Sequence, residues 1–251
     1  MATYKRRGGK TKSAQQQTPE QDSVTAEVFS TLDTSAGKAE AWVARNQNYI
    51  LTTIGAVVVI VLGYLAYLNF VKKPLNDEST NAMAQAQAYF KEAIQDPTVQ
   101  DSLFVLALDG DGTAPGFIQI IEEYGSSDAA QLANYNAGMI YLQQKQYENA
   151  ITYLDNFSSE DPVLGALALG GIGDAFSELN QLEDALSYYR KAANFSENDL
   201  TTPRFLRKGA LVALALDNAK AAATLLENLK ANYASSSEAA NVDVLLAQAQ
   251  Q

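Results

Sequence analysis

Residues 131–164 read QLANYNAGMIYLQQKQYENAITYLDNFSSEDPVL, and the order of small, aromatic and large apolar residues here decides the fold. Counted from Gln131, a small residue stands at place eight (Gly138), an aromatic at eleven (Tyr141) and a second small residue at twenty (Ala150). A large apolar residue follows at twenty-four (Leu154) and a proline at thirty-two (Pro162). Small residues on two facing helices let their backbones cross closely, and a proline ends the second helix and opens the next. The stretch therefore reads as a pair of antiparallel helices.

The same order returns in residues 166–199, with Leu169, Ile172, Gly173, Phe176, Ala185, Tyr189 and Ala192 in the matching places and Glu197 where the proline would be. A weaker copy starts near Thr202, with Gly209, Val212, Ala221 and Leu225 (about 202–235). A helical pair of 34 residues with these small and aromatic places resembles the tetratricopeptide repeat. Two places depart from that pattern: Asn134 stands where a large apolar residue is usual, and Phe157 where alanine is. Such units bury their faces only by stacking, so the ends need caps. Asn76–Gln95 and Val99–Tyr124 are expected as N-terminal capping helices or a degenerate repeat (76–125), and Glu238 to about Gln250 as a C-terminal capping helix within 126–251. Serines in Tyr124-Gly-Ser-Ser-Asp and Tyr233-Ala-Ser-Ser-Ser-Glu sit where helix N-caps belong. The expected fold class is all-α, a right-handed superhelical stack with one concave face.

Ahead of the repeats, Tyr49–Val71 reads YILTTIGAVVVIVLGYLAYLNFV, and no charged residue occurs between Arg45 and Lys72. A helix of that length spans roughly 34 Å, enough for a hydrocarbon core of about 30 Å. Trp42 and Tyr49 at one end, with Tyr64, Tyr67 and Phe70 at the other, have the distribution of interfacial aromatic belts. Residues 49–71 are thus expected to be a single transmembrane helix. Lys5, Arg6, Arg7, Lys10, Lys12, Lys38 and Arg45 precede it, and only Lys72 and Lys73 follow closely, so the N-terminus is expected in the cytoplasm and the repeats outside the inner membrane. Residues 1–24 are basic and without apolar periodicity, expected as a disordered tail, and 25–48 as a juxtamembrane segment. Within the span, Gly55 and Gly63 are the candidates for close contact with a partner helix, lipid-facing filler being the other reading.

Charge and composition narrow the function. The chain has 251 residues and a net charge of −11, yet from Pro74 onward 24 acids stand against 9 bases, a net −15. An acidic body argues against nucleic acid as partner, since phosphate contacts need clustered Lys and Arg. The chain has neither cysteine nor histidine, which removes the thiolate nucleophile, the commonest general base and the commonest metal ligand. No catalytic residue, cofactor or metal site is expected. Asp109-Gly110-Asp111-Gly112 begins like a calcium loop, but Thr113, Ala114 and Ile120 fail the positions that would complete it, and a tight turn is the better reading.

In repeats of this kind, places 2, 5, 9, 12 and 13 of the first helix face the concavity. The resemblance implies a protein-binding groove formed by Leu132, Tyr135, Met139, Leu142 and Gln143, with Asp174, Ser177 and Glu178 from the next unit. Apolar contact beside acids suits partly apolar, basic or amide-rich ligand chains. Leu132 and Met139 are equally readable as packing against neighbouring helices.

The whole layout, from about Thr25 to the end, resembles the YfgM-like family of ancillary SecYEG translocon subunits, related to the repeat domain of the cell-division coordinator CpoB. GDGTAPGFIQIIEEYG (Gly110–Gly125) and LGALALGGIGDAF (Leu164–Phe176) are similar to the branch found in Bacteroidetes. The resemblance implies a periplasmic domain that meets a PpiD-like chaperone and nascent chains leaving the translocon. An envelope-assembly or cell-division adaptor with the same fold and no translocon contact is the alternative.

Overall fold

The computed structural model describes the backbone of residues 24–249 and side chains from Gly37 onward. The basic tail and its cations Lys5 to Lys12 lie outside the described residues. The chain divides after Leu65 into two units.

In the first unit the chain is helical from Val24, within α1 (Val24–Tyr67). Its run of β-branched residues is a poor helix former in water, but lipid offers the backbone no hydrogen-bond partner except itself, which favours helix. The helical run Gly37–Gln95 contains a segment long and apolar enough to cross a membrane, and none of that segment is buried. Val57, Val58, Val59, Ile60, Val61 and Leu62 are all exposed. A single helix that leaves such a band uncovered has the composition of a lipid-facing surface.

The second unit opens with a π-helical turn at Leu68–Lys72 and α2 (Lys73–Gln95). The cap region is completed by α3 (Gln100–Asp109) and α4 (Phe117–Tyr124). The tight turn expected at Asp109–Gly112 separates these two helices. Gly110 (φ 86°) and Gly112 (φ 81°) adopt a conformation that L side chains rarely take, and Gly110 pairs with Pro115 in an isolated bridge. The two short helices close on α2 around Phe90, whose ring lies 6.2 Å from that of Phe104 and 6.1 Å from that of Phe117.

Three helical pairs follow: α5 (Asp128–Gln143) with α6 (Tyr147–Asp155), α7 (Pro162–Glu178) with α8 (Leu182–Phe195), and α9 (Thr202–Ala215) with α10 (Ala219–Asn232). Ser127 caps α5 by accepting from the Ala130 N–H, and Asp161 caps α7 by accepting from Val163 and Leu164 with Pro162 in the first turn. Every intra-pair turn is built alike. Lys145, Asn180 and Asp217 have φ of 62°, 58° and 53°, and the next residue's N–H returns to the third-last carbonyl of the helix (Gln146 to Tyr141, Gln181 to Phe176, Asn218 to Ala213). This is the Schellman arrangement, which satisfies carbonyls the helix end leaves open.

The crossings within the pairs are also alike. A Cβ on Gly138 would lie 2.6 Å from Leu154 Cγ, one on Gly173 2.8 Å from the Tyr189 ring, and one on Gly209 3.2 Å from Leu225 Cδ1. Ala150, Ala185 and Ala221, four places before those large residues, are buried. Place eight therefore faces place twenty-four in each pair, and the α9–α10 pair has the construction of the two before it. Between pairs, Gly170 lies against the Phe205 ring and Gly171 against Leu154, so aromatic and leucine side chains fill the gaps that glycines leave.

In the second unit each helix packs on its chain neighbours. The core correspondingly falls into a cluster around the cap and α5, another around α8 to α10, and a bridge at Leu154, Ala168 and Ile172 between them. The C-terminal cap starts later than expected. Ser236 caps a 3-10 turn at Ser237–Ala239, and after Asn241 (φ 63°) the helix α11 begins at Val242 and covers Val242–Ala249 of the described residues.

Asn134, at the place where a large apolar side chain is usual, is buried in α5 with its Nδ2 donating to the Ala130 carbonyl at 3.0 Å, while Oδ1 has no partner among the described residues. A buried acceptor without a donor costs about 1–3 kcal/mol. Asn134→Leu is expected to raise stability by about 1–2 kcal/mol in denaturant melts of the full chain in detergent; a loss instead would mean that the site holds a water. The glycine contacts predict a graded pair. Gly170→Ala is expected to destabilise by about 1–3 kcal/mol because the buried Phe205 ring cannot yield. Gly209→Ala, against the flexible end of Leu225, is expected to stay within about 1 kcal/mol of the parent as helix propensity offsets the crowding. Equal melting shifts for the two would refute the close-packing account.

Candidate functional site

The first helices of successive pairs, α5, α7 and α9, present residues to a common surface. There a cavity of about 540 Å³ is lined by Leu142, Gln143, Lys145, Tyr147, Asp174, Ser177, Glu178, Tyr189 and Lys208. Sequence reasoning placed Leu142, Gln143, Asp174, Ser177 and Glu178 in a groove, and the structure brings these together. The other expected groove residues go elsewhere. Leu132 lines a separate cavity with Lys72, Asp128 and Phe157. Tyr135 and Met139 are half-buried against the Leu154–Ala168–Ile172 bridge, the Tyr135 ring 5.3 Å from that of Phe157. Their shared role is packing between pairs. Gly55 and Gly63, in the first unit, have no neighbouring side chain within 4 Å.

The electrostatics of the cavity differ from two free acids in a groove. Lys208 of α9 donates to both Asp174 carboxylate oxygens, at 2.6 and 2.8 Å, and the Tyr189 hydroxyl donates to Oδ1 at 2.7 Å. The pair ties α7 to α9, and its side chains are 32% and 28% exposed, between a surface bridge and a buried one. Burial, with the Asp174 charge beside it, pushes the Tyr189 hydroxyl above its ordinary range. Tyr189 therefore stays a donor at any physiological pH. The Tyr147 hydroxyl donates to Glu178 Oε2 at 3.1 Å, and burial and that carboxylate together raise its pKa. What the cavity offers a ligand is the amide of Gln143, the hydroxyl of Ser177, the free oxygen of Glu178, the Lys145 ammonium and the apolar edge of Leu142. Donors and acceptors of both kinds on an apolar edge suit the backbone of a peptide.

Lys208, Tyr147, Tyr189 and Lys145 were missed as groove residues. The repeat register held a signal for the ion pair: Asp174 directly follows Gly173 and Lys208 directly precedes Gly209, so both flank the close-packed glycine of their helix. The Asp109–Gly112 segment is a locked turn. Asp111 accepts from the Tyr89 hydroxyl (2.7 Å), the Thr113 hydroxyl (2.7 Å) and the N–H groups of Thr113 (2.8 Å) and Ala114 (2.9 Å). These hydrogen bonds, those from Tyr89 and Thr113 foremost, hold its carboxyl well below the usual carboxylate range. Among the described residues no group of three or more acids is placed to hold a metal ion.

A family model described as the tetratricopeptide repeat matches residues 132–162 and 166–199. The chain carries tetratricopeptide repeats. The matched segments cover α5 to α8 and so contain most of the cavity lining. No curated protein and no solved structure matches the chain. Repeats of this kind support a protein-interaction scaffold, and proteins built from them are in general not enzymes.

If the Asp174–Lys208 pair couples neighbouring repeats, Asp174→Ala and Lys208→Ala are each expected to destabilise. The double variant is expected to recover about 0.5–1 kcal/mol relative to the sum, a range already discounted for partial exposure. Strict additivity in a double-mutant cycle would show that the two charges do not interact.

Proposed function

We propose that this chain is a single-pass inner-membrane scaffold, with its repeats in the periplasm, that serves as an accessory, chaperone-type subunit at the SecYEG translocon. In this reading the face between α5, α7 and α9 takes an extended segment of a partner, either a PpiD-like chaperone or a nascent chain. The observation that carries the binding role is the convergence of Leu142, Gln143, Asp174, Ser177 and Glu178 on one cavity in the repeats matched by the family model. Its mixture of amides, hydroxyl, charges of both signs and an apolar edge favours main-chain recognition over any single side chain, as a subunit that meets many sequences requires. The exposed apolar segment of α1 supports a membrane anchor, and the cations ahead of it support a cytoplasmic N-terminus. The translocon assignment rests on the resemblance to the YfgM-like family.

The test is site-specific photo-crosslinking in native membranes. A photoreactive residue at Gln143 or Ser177 is expected to capture translocon or chaperone subunits, and the same residue at the exposed Glu148 of α6 is not. Capture of division or outer-membrane assembly factors at Gln143 would replace the translocon role with that of an envelope adaptor. Equal capture from Glu148 and Gln143 would remove the groove itself from the account.

A further inference from the structure

The nine bases of the acidic body, from Lys91 to Lys230, are mostly spoken for. Arg207 pairs with Glu238, Lys208 with Asp174 and Lys230 with Asp243. Lys191 lies over the Tyr188 ring and Arg204 over that of Phe205. Arg190 and Lys220 have neither an ion pair nor a ring among the described residues, yet both line one cavity, of about 390 Å³. It lies between α8 and α10, the second helices of their pairs, and shares no lining residue with the cavity between the first helices.

The lining has an uneven donor inventory. Besides the two cations it holds Asn194, Asn218, Asn228 and Thr224, over a floor of Leu206, Ala221 and Leu225, and no carboxylate. Two of its amide oxygens are already engaged. Asn218 Oδ1 accepts from the Ala221 N–H, which fixes that amide with its NH₂ group free. Asn228 Oδ1 accepts from Asn232, and the Thr224 hydroxyl donates to the Lys220 carbonyl. What leads toward a ligand is an ammonium and a guanidinium, with amide NH₂ groups beside them and no carboxylate opposing them. In a body with an excess of acids, a cavity with two cations, no carboxylate and an apolar floor is complementary to a chain carrying negative charge.

We infer that the cleft between α8 and α10 is a second binding site, which takes an acidic peptide with its carboxylates on Arg190 and Lys220 and an apolar side chain on Leu206 and Leu225. The guanidinium of Arg190 can grip a carboxylate through two parallel N–H donors, whereas Lys220 acts as a point charge. The floor supplies the apolar contact that separates a peptide from a free small acid.

The probe is acetyl-Glu-Leu-Glu-amide, titrated onto the full chain in phosphatidylcholine nanodiscs with ¹³C-methyl leucine and alanine. The Leu206, Leu225 and Ala221 methyl signals report the cleft, and Leu142 reports the other cavity. Saturable shifts confined to the cleft methyls are expected. Binding is expected to be about tenfold weaker for acetyl-Gln-Leu-Gln-amide, because two part-exposed ion pairs are lost. A similar loss is expected for Arg190→Gln/Lys220→Gln with the original peptide. Both substituted side chains are exposed, so the melting temperature should match the parent. Equal affinity for the glutamine peptide, binding undiminished in the double variant, or no saturable shift at millimolar peptide would overturn the assignment. Succinate binding as tightly as the peptide would also overturn it, in favour of a small-acid site.

Discussion

The distance between paired helices in this protein is set by a glycine meeting a large side chain: Gly138 with Leu154, Gly173 with Tyr189, and Gly209 with Leu225. Without a Cβ on one helix, the other can lay a leucine or tyrosine directly across its backbone. The pair then closes tightly enough to bury Ala150, Ala185 and Ala221 beside the crossing. The tight turns at Lys145, Asn180 and Asp217 follow from that separation, because a wider pair would need a longer connection. So does the stacking between pairs, where Phe205 and Leu154 reach into the spaces beside Gly170 and Gly171.

The candidate binding face is a by-product of this geometry. Asp174 and Lys208, each beside the close-packed glycine of its helix, emerge where one first helix faces the next. Asp174 and Lys208 meet there, with Tyr189 donating from the crossing below. An ion pair so placed bridges two repeats and holds the walls of the cavity at a definite spacing. A ligand that meets preset walls loses less freedom on binding than one that must assemble them.

The period, the crossing residues and the apolar span were all readable in the sequence, because each rests on local spacing and residue size. The cavity was readable in part. Leu142, Gln143, Ser177 and Glu178 followed from the repeat register, but Tyr135 and Met139 turned toward the bridge cluster, since Phe157, in place of the usual alanine, draws Tyr135 against its ring. The Asp174–Lys208 pair joins two residues 34 apart, and only their shared place beside the close-packed glycines of successive repeats marks them in the sequence. The break between α3 and α4 was legible as the tight turn at Asp109–Gly112. Ile118, Ile121 and Tyr124 continue a helical period, and only the backbone demands of Gly110 and Gly112 stop it.

A stack whose members lean mainly on their neighbours has a direction to its failure. At one end α2 packs against α3, α4 and α5 together, while at the other the short α11 leans chiefly on α10, helped by an exposed Lys230–Asp243 bridge. A load applied at α11 would therefore meet yielding before rigidity. The short α11 would thus serve as a compliant tip, and the hairpins behind it would keep their shape under load.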